Sequence, residues 1–217
     1  MKLWKKISLC ALPLLLIGCG NKLDANYDKM KVSKDNISGY ILDLRIYGTS
    51  DSKSVNEIVR ITDYNDTEYK IVKTLAPTIK DGNYVINEET TYIKDGKVYA
   101  LGTDGTYAVS KTAAYKDPSI YLEGMKNTTS LDKGTKTKIG SDTYTTYKAV
   151  FKKAIVNEIL KDTSLNTTVS KDISGTITID SKGYVYRIIY SIDKLTINAN
   201  YYGYDTVSAI NFPTGVK

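Results

Sequence analysis

The side chains that most often do chemistry are scarce in this chain of 217 residues. There is no histidine, which removes Ser-His and Cys-His nucleophilic pairs and every histidine-bearing zinc site. The only cysteines are Cys10 and Cys19, too few for a thiolate metal cage. Serine followed three residues later by lysine occurs at Ser50/Lys53, Ser130/Lys133 and Ser191/Lys194. A chain rich in both residues produces that spacing by chance, and none of the three has the Ser-Asp-Asn and Lys-Thr-Gly companions of a Ser-Lys acyl-transfer site. The densest acidic run, Asp63-Tyr64-Asn65-Asp66-Thr67-Glu68, puts Glu68 where a calcium loop requires glycine. It reads as a solvated hairpin turn. Glycines mostly follow Asp or Lys in turns, and no phosphate-cradling loop is present. The expectation is a non-catalytic protein that needs no cofactor and no metal.

Cys19 is the exception, because its surroundings are specific. The chain begins MKLWKK and continues ISLCALPLLLIG. A basic start followed by an apolar run too short to span a bilayer is a secretory signal. Leu16-Ile17-Gly18-Cys19 has an aliphatic residue at −3, a small residue at −1 and then cysteine. That segment resembles the lipobox of bacterial lipoproteins. The resemblance implies cleavage before Cys19, diacylation of its sulfur and attachment to the outer side of the cell membrane. Cys10 follows the bulky Leu9 and leaves with the signal. The remaining chain then has no second cysteine, so its fold rests on a hydrophobic core rather than a disulfide. Three lysines leave too, reducing the net charge from +6 to +3. So mild a charge does not indicate nucleic-acid binding, and lysine is far more abundant than the arginine that phosphate forks prefer.

The expected organisation is a signal over 1–18, a lipidated cysteine with a polar tether over 19–36, and one β-rich domain over 37–217. From residue 37 the hydrophobic period is two. In 40–47, Tyr40, Leu42, Leu44 and Ile46 share a face, while Ile41, Asp43, Arg45 and Tyr47 share the other. Val55, Val59 and Ile61 alternate with polar neighbours. Asp81-Gly82, Asp95-Gly96 and Asp104-Gly105 suit tight hairpin turns, so 91–110 reads as three strands. Asp117-Pro118 predicts the start of a short helix over 118–126, with Tyr121 and Met125 on one side. Residues 127–138 read as polar chain leading to a hairpin at 140–142. Ile155 with Ile159 and Val156 with Leu160 predict a second short helix over 153–161. Lys152 is a poor cap for it, and a continued strand also fits.

The last third alternates most clearly. Ile173, Ile177 and Ile179 form one face. Tyr184, Tyr186, Ile188, Tyr190 and Ile192 form another, opposite Val185, Arg187, Ile189, Ser191 and Asp193. Leu195, Ile197, Ala199 and Tyr201 form a third, and a final strand is expected near 207–211. The fold class is mainly β (α+β): a curved antiparallel sheet of about ten strands, one face wet, forming an incomplete barrel with two short helices on the concave side.

Lipobox, polar tether, long meander, mid-chain helices and the closing block "ITIDSKGYVYRIIYSI…LTINANYYGYDTVSAINFP" together resemble the LolA/LppX-type lipoprotein-carrier superfamily. The resemblance spans about 37–213. It implies a half-barrel whose concave face accepts lipid acyl chains. The apolar lining would be Tyr40, Leu42, Leu44, Ile46, Tyr121, Met125, Ile177, Tyr186, Ile188, Tyr190 and Ile197. The same face could instead be solid core, and most of the 19 tyrosines serve simply as strand formers.

Two functions compete. One is a monomeric, membrane-anchored lipoprotein that binds a lipid or other apolar ligand. The other is an envelope interaction protein with a filled core, whose partner surface includes Asp43, Arg45, Arg187 and Asp193. The anchor makes a direct prediction. Replacing Cys19 with Ser should release the protein from the membrane fraction or leave it unprocessed, because two acyl chains give the stable attachment. A Cys19→Ser protein that stays membrane-bound at the mature mass overturns the anchor.

Overall fold

In the computed structural model the described residues are 37–50, 53–65, 67–75, 77–110, 120, 128–161, 163, 165 and 167–213. The signal, Cys19, the tether and the helix expected over 118–126 with Tyr121 and Met125 lie outside them, apart from Ile120. That residue is helical and packs half-buried against the core.

Fourteen strands and one helix are described. The strands are β1 (Gly39–Ser50), β2 (Lys53–Tyr64), β3 (Glu68–Thr74), β4 (Thr78–Lys80), β5 (Asn83–Val85), β6 (Glu88–Lys94) and β7 (Lys97–Leu101). They continue with β8 (Tyr107–Val109), β9 (Thr128–Leu131), β10 (Thr135–Ile139), β11 (Asp142–Phe151), β12 (Ile173–Ile179), β13 (Val185–Ile192) and β14 (Leu195–Tyr202). Twelve of them make one sheet in the order β10-β11-β12-β13-β14-β1-β2-β3-β6-β7-β8, with β9 also on β11. β4 and β5 form a separate hairpin. Every pairing is antiparallel. The two ends of this order do not meet, so the sheet is an open, curved half-barrel. Its ends are blunted: β10 is fully exposed and carries Lys136 and Lys138, and β8 is three residues long.

The turns follow the local chemistry. Asp81 and Asp95 take φ of 51° and 48°, and the glycines after them 78° and 71°. Two consecutive positive φ values give the hairpin turn whose twist matches its strands. Alternation then sorts each strand. Tyr40, Leu42, Leu44 and Ile46 point inward and are at most 2% exposed, and their neighbours Asp43 and Arg45 point outward. On the outer face Arg60 donates from Nε and Nη2 to both carboxylate oxygens of Asp43, at 2.7 and 3.0 Å, and the Tyr202 hydroxyl donates to Oδ2 at 3.0 Å.

The helix expected over 153–161 is α1 (Lys153–Lys161). Its buried face is Val156, Ile159 and Leu160, which join the core of the sheet. Lys152 offers no capping side chain, and the missing acceptor comes from elsewhere in the chain. The Lys153 amide donates to Asp172 Oδ1 at 2.9 Å, placing a carboxylate at the positive end of the helix.

Three expectations are corrected. The sheet has more strands than ten, because the stretch read as polar chain over 127–138 contains β9 and most of β10. β10 alternates Thr and Lys and is exposed on both faces, and β9, Thr-Thr-Ser-Leu, is too short for its one apolar residue to show a period. The strand expected near 207–211 does not form. β14 is already paired on both sides, by β13 and β1, so no edge is free beside it. Residues 203–213 instead cross the convex face as a strap. Phe212 ends it against Tyr92, Tyr99 and Lys94, with centroids 5.6 and 6.4 Å from the two tyrosine rings.

The third correction concerns Tyr186. The register shifts between Thr178 and Ile179: Thr178 faces Arg187 but Ile179 faces Val185. Tyr186 is the extra residue of a β-bulge. Val185 therefore takes the inward position and is fully buried. Tyr186 turns outward beside Arg187 and packs on Tyr144 at 4.6 Å.

Two tests follow from this packing. Gly175 sits where a Cβ would run into the Ile189 carbonyl and lie 2.7 Å from the Phe151 ring. Gly175→Ala should cost about 1–3 kcal/mol by overpacking, read as a melting temperature lower by roughly 2–4 °C per kcal/mol. An unchanged melting temperature rejects that packing. The Arg60 guanidinium holds Asp43 below the ordinary carboxylate value of 3.8, with further help from the Tyr202 hydroxyl. Stability from this pair is therefore present above that value and is lost as pH falls through the lowered one. Arg60→Ala should bring the Asp43 titration, followed by carboxyl NMR, back up toward 3.8. An unmoved titration rules out the pairing as the cause.

Candidate functional site

Eight of the residues expected to line the concave face lie together there. The registers build apolar rows across adjacent strands. Ile177 faces Ile188, Ile188 faces Ala199, and Ala199 faces Leu44. One row along, Tyr190 faces Ile197 and Ile197 faces Ile46. Tyr40 and Leu42 complete the set, with the Tyr40 and Tyr201 rings 5.6 Å apart. All eight are at most 2% exposed. Burial pushes the Tyr190 hydroxyl far above the ordinary tyrosine value, so it stays neutral and does no acid–base work at physiological pH. Phe151 packs on its ring at 4.5 Å. Tyr186 is outside this group for the reason given, and Tyr121 and Met125 lie outside the described residues.

Two of the apolar rows end at β2 and β3. The row through Leu44 continues to Val59 and then Lys73, and the row through Ile46 continues to Glu57. Lys73 Nζ and Glu57 Oε2 are 4.0 Å apart. The concave face is thus apolar from β11 to β1, and charge enters it at β2 and β3 only along these two rows. The row through Leu42 continues to Ile61 and Ile71, and Tyr69, Ile93 and Val98 carry the buried core on to β3, β6 and β7.

At one end of the apolar half, where β12 begins and β13 turns into β14, lies a cavity of about 530 Å³. Ile173, Ile192 and Leu195 form its apolar floor with Val169, and Thr167, Ser170, Lys171 and Lys194 are among the residues of its rim. The floor leads directly into the rows just described, since Ile192 pairs with Leu195 and the next inward pair is Tyr190 with Ile197. The rim segment is pinned to α1. Asn157 Nδ2 donates to the Val169 carbonyl at 3.1 Å, and the Val169 amide donates to Asn157 Oδ1 at 2.7 Å. Asp172, three residues on, caps the same helix. Sequence reading missed this rim: 163–172 has no hydrophobic period, and its position depends on two side chains, Asn157 and Asp172, that look unremarkable in the chain.

A second cavity, of about 360 Å³, lies on the convex side between the strap and Ile41, Thr62 and Lys70. Among the described residues no three Cys, His, Asp or Glu side chains gather as a metal-binding group. The concave site, with its apolar floor and polar rim, is suited to non-covalent binding of an amphiphilic molecule.

No protein-family model matches the chain, and no curated protein does. Solved structures do. The lipoprotein LppX of Mycobacterium tuberculosis superposes with a TM-score of 0.57 over 88% of this chain and 100% of its own, at 11% identity. LprF of Mycobacterium bovis superposes with a TM-score of 0.58 over 90% of this chain and 98% of its own, also at 11% identity. At such identity the likeness is one of fold. The half-barrel of this chain is an LppX-type fold, in keeping with the resemblance read from its sequence.

Proposed function

We propose that this protein is a non-catalytic envelope lipoprotein that binds the apolar part of a lipid at the concave face of its half-barrel. In this reading Cys19 carries the diacylglyceryl anchor, 20–36 is the tether, and the domain from residue 37 onward works as a monomer on the extracytoplasmic side of the cell membrane. The observation that carries it is the continuity of the apolar rows with a cavity of about 530 Å³, a size within the usual range of small-ligand sites. The fold shared with the lipoprotein LppX supports the same reading.

A filled-core interaction protein is the second reading. The closure of the eight lining residues to 2% exposure or less favours it, and the outer-face arginines would then serve a partner.

Native mass spectrometry of the full-length protein taken from its own membranes separates the two. The binding reading expects adduct masses beyond the covalent anchor that organic extraction removes. It also expects Val169→Trp, which fills the cavity from its rim, to lower their occupancy several-fold. A clean apo mass in the unmodified chain overturns lipid binding and leaves the filled core.

A further inference from the structure

The rim cavity also bears on which amphiphile the site takes. Its floor is Ile173, Ile192 and Leu195, at 7%, 7% and 4% exposure, so an apolar tail is the part that can replace water there. Around this floor the lining changes character within one or two residues along the chain. Lys171 comes from the segment pinned to α1 and Lys194 from the β13–β14 turn, and the hydroxyl residues Thr167, Thr168 and Ser170 line the cavity with them. Both lysines are exposed, and among the described residues neither has an ion pair. The one acidic side chain of the lining is Asp193. Asp172, nearby in the chain, is already committed to the amide of Lys153. The rim is therefore net positive and rich in donors, and the floor is apolar.

We propose that the cavity is a headgroup site, selective for amphiphiles with an anionic head on an aliphatic tail: the tail enters over Ile173, Ile192 and Leu195, and the head is held by the Lys171 and Lys194 ammonium groups and the adjacent hydroxyls. Ammonium groups suit this role as compact point charges on flexible stems. Both lie at the mouth, where a bound head keeps part of its hydration. The inference rests on the binding function proposed above and adds the class of ligand.

The test uses the full chain carrying Cys19→Ser, so that no covalent acyl chain competes, and isothermal titration with decyl phosphate, decanol and inorganic phosphate. Decyl phosphate should bind about tenfold more tightly than decanol, the size expected of one or two half-exposed charge pairs. The advantage should shrink as salt is raised. Inorganic phosphate should show no saturable binding at the same concentrations, because it has no tail. The double variant Lys171→Gln, Lys194→Gln should bring decyl phosphate down to the level of decanol and leave decanol unchanged. Both substitutions are at exposed positions, and an unaltered melting temperature verifies the fold. Equal binding of decyl phosphate and decanol, or a preference that survives the double variant, overturns the headgroup site. Inorganic phosphate binding as tightly as decyl phosphate overturns the amphiphile and leaves a free-anion site. If neither amphiphile binds while the native protein carries extractable lipid, this cavity is the wrong place and lipid binding stands. If neither binds and the native protein is also clean, both readings fall.

Discussion

The burial of one face of β12, β13, β14 and β1 is the constraint that the rest of the molecule serves. Across these four strands the registers align isoleucine, leucine, alanine and tyrosine into unbroken rows. Burying a large side chain is worth about 1.5–3 kcal/mol, so leaving such rows wet would exceed the stability of an ordinary domain. A flat sheet cannot shield itself. Natural twist curls it, and the helix between β11 and β12 covers it. The helix needs an N-terminal acceptor, and Asp172 supplies it from the segment that returns to the sheet. The same segment, fixed through Asn157, becomes the rim of the cavity. Covering the core and shaping the mouth are thus one structural event.

The convex face meets a different demand. It must stay wet, and it must stop a wide sheet from splaying. Polar cross-strand pairs do part of this: Arg187 donates to Asn200 Oδ1 at 2.8 Å, Arg60 clasps Asp43, and Thr146 shares a hydrogen bond with Thr178. The strap does more. Its start is locked by Asp205, whose carboxylate accepts from Ser38 and from the Tyr184 hydroxyl, and by Tyr204, which donates to the Val185 carbonyl at 2.7 Å. Its end, Phe212, reaches Tyr92 and Tyr99 on β6 and β7. A segment that crosses strands rather than pairing beside them ties the centre of the sheet to one flank.

How much of this was legible in the sequence depended on whether a feature is local. Strand faces were, since a period of two needs only neighbours: Tyr40, Leu42, Leu44 and Ile46 were assigned inward from eight residues of chain. The Asp-Gly turns were legible for the same reason. Tyr186 was not. Alternation runs through it without a break, and the bulge that turns it outward is a property of the pairing between β12 and β13. β10 was hidden because a strand polar on both faces carries no period, and β9 because four residues with one apolar side chain are too few to show one. The strap was mistaken for a strand because Val207 to Asn211 has strand-like composition. Whether a strand forms there is decided by the absence of a free edge at β14, which is a topological fact. The candidate cavity divides in the same way: Ile173, Ile192 and Leu195 fall on strand faces that alternation marks as apolar, though none is among the residues expected to line a site, and the rim carries no period at all.

The boundary at β2 bears on what such a face can hold. Val59 and Ile61 carry the apolar surface onto β2, but the rows through Leu44 and Ile46 meet the charge pair of Glu57 and Lys73 at β2 and β3. Glu57 keeps only 14% of its side chain exposed and Lys73 keeps 39%. An acyl chain laid across that pair would strip water from charges that do not fully satisfy each other, at a cost that apolar contact does not recover. The other half of the face has no such obstacle from β11 to β1, and its free end is the cavity beside Ile173, Ile192 and Leu195. Under the binding function proposed above, charge at one side and an opening at the end favour one direction: an apolar chain would enter at the rim and run along the strands of the apolar half, with its polar end left at the mouth. In that reading, the sheet that stabilises the fold would also set the orientation of a ligand, by the same distribution of charge.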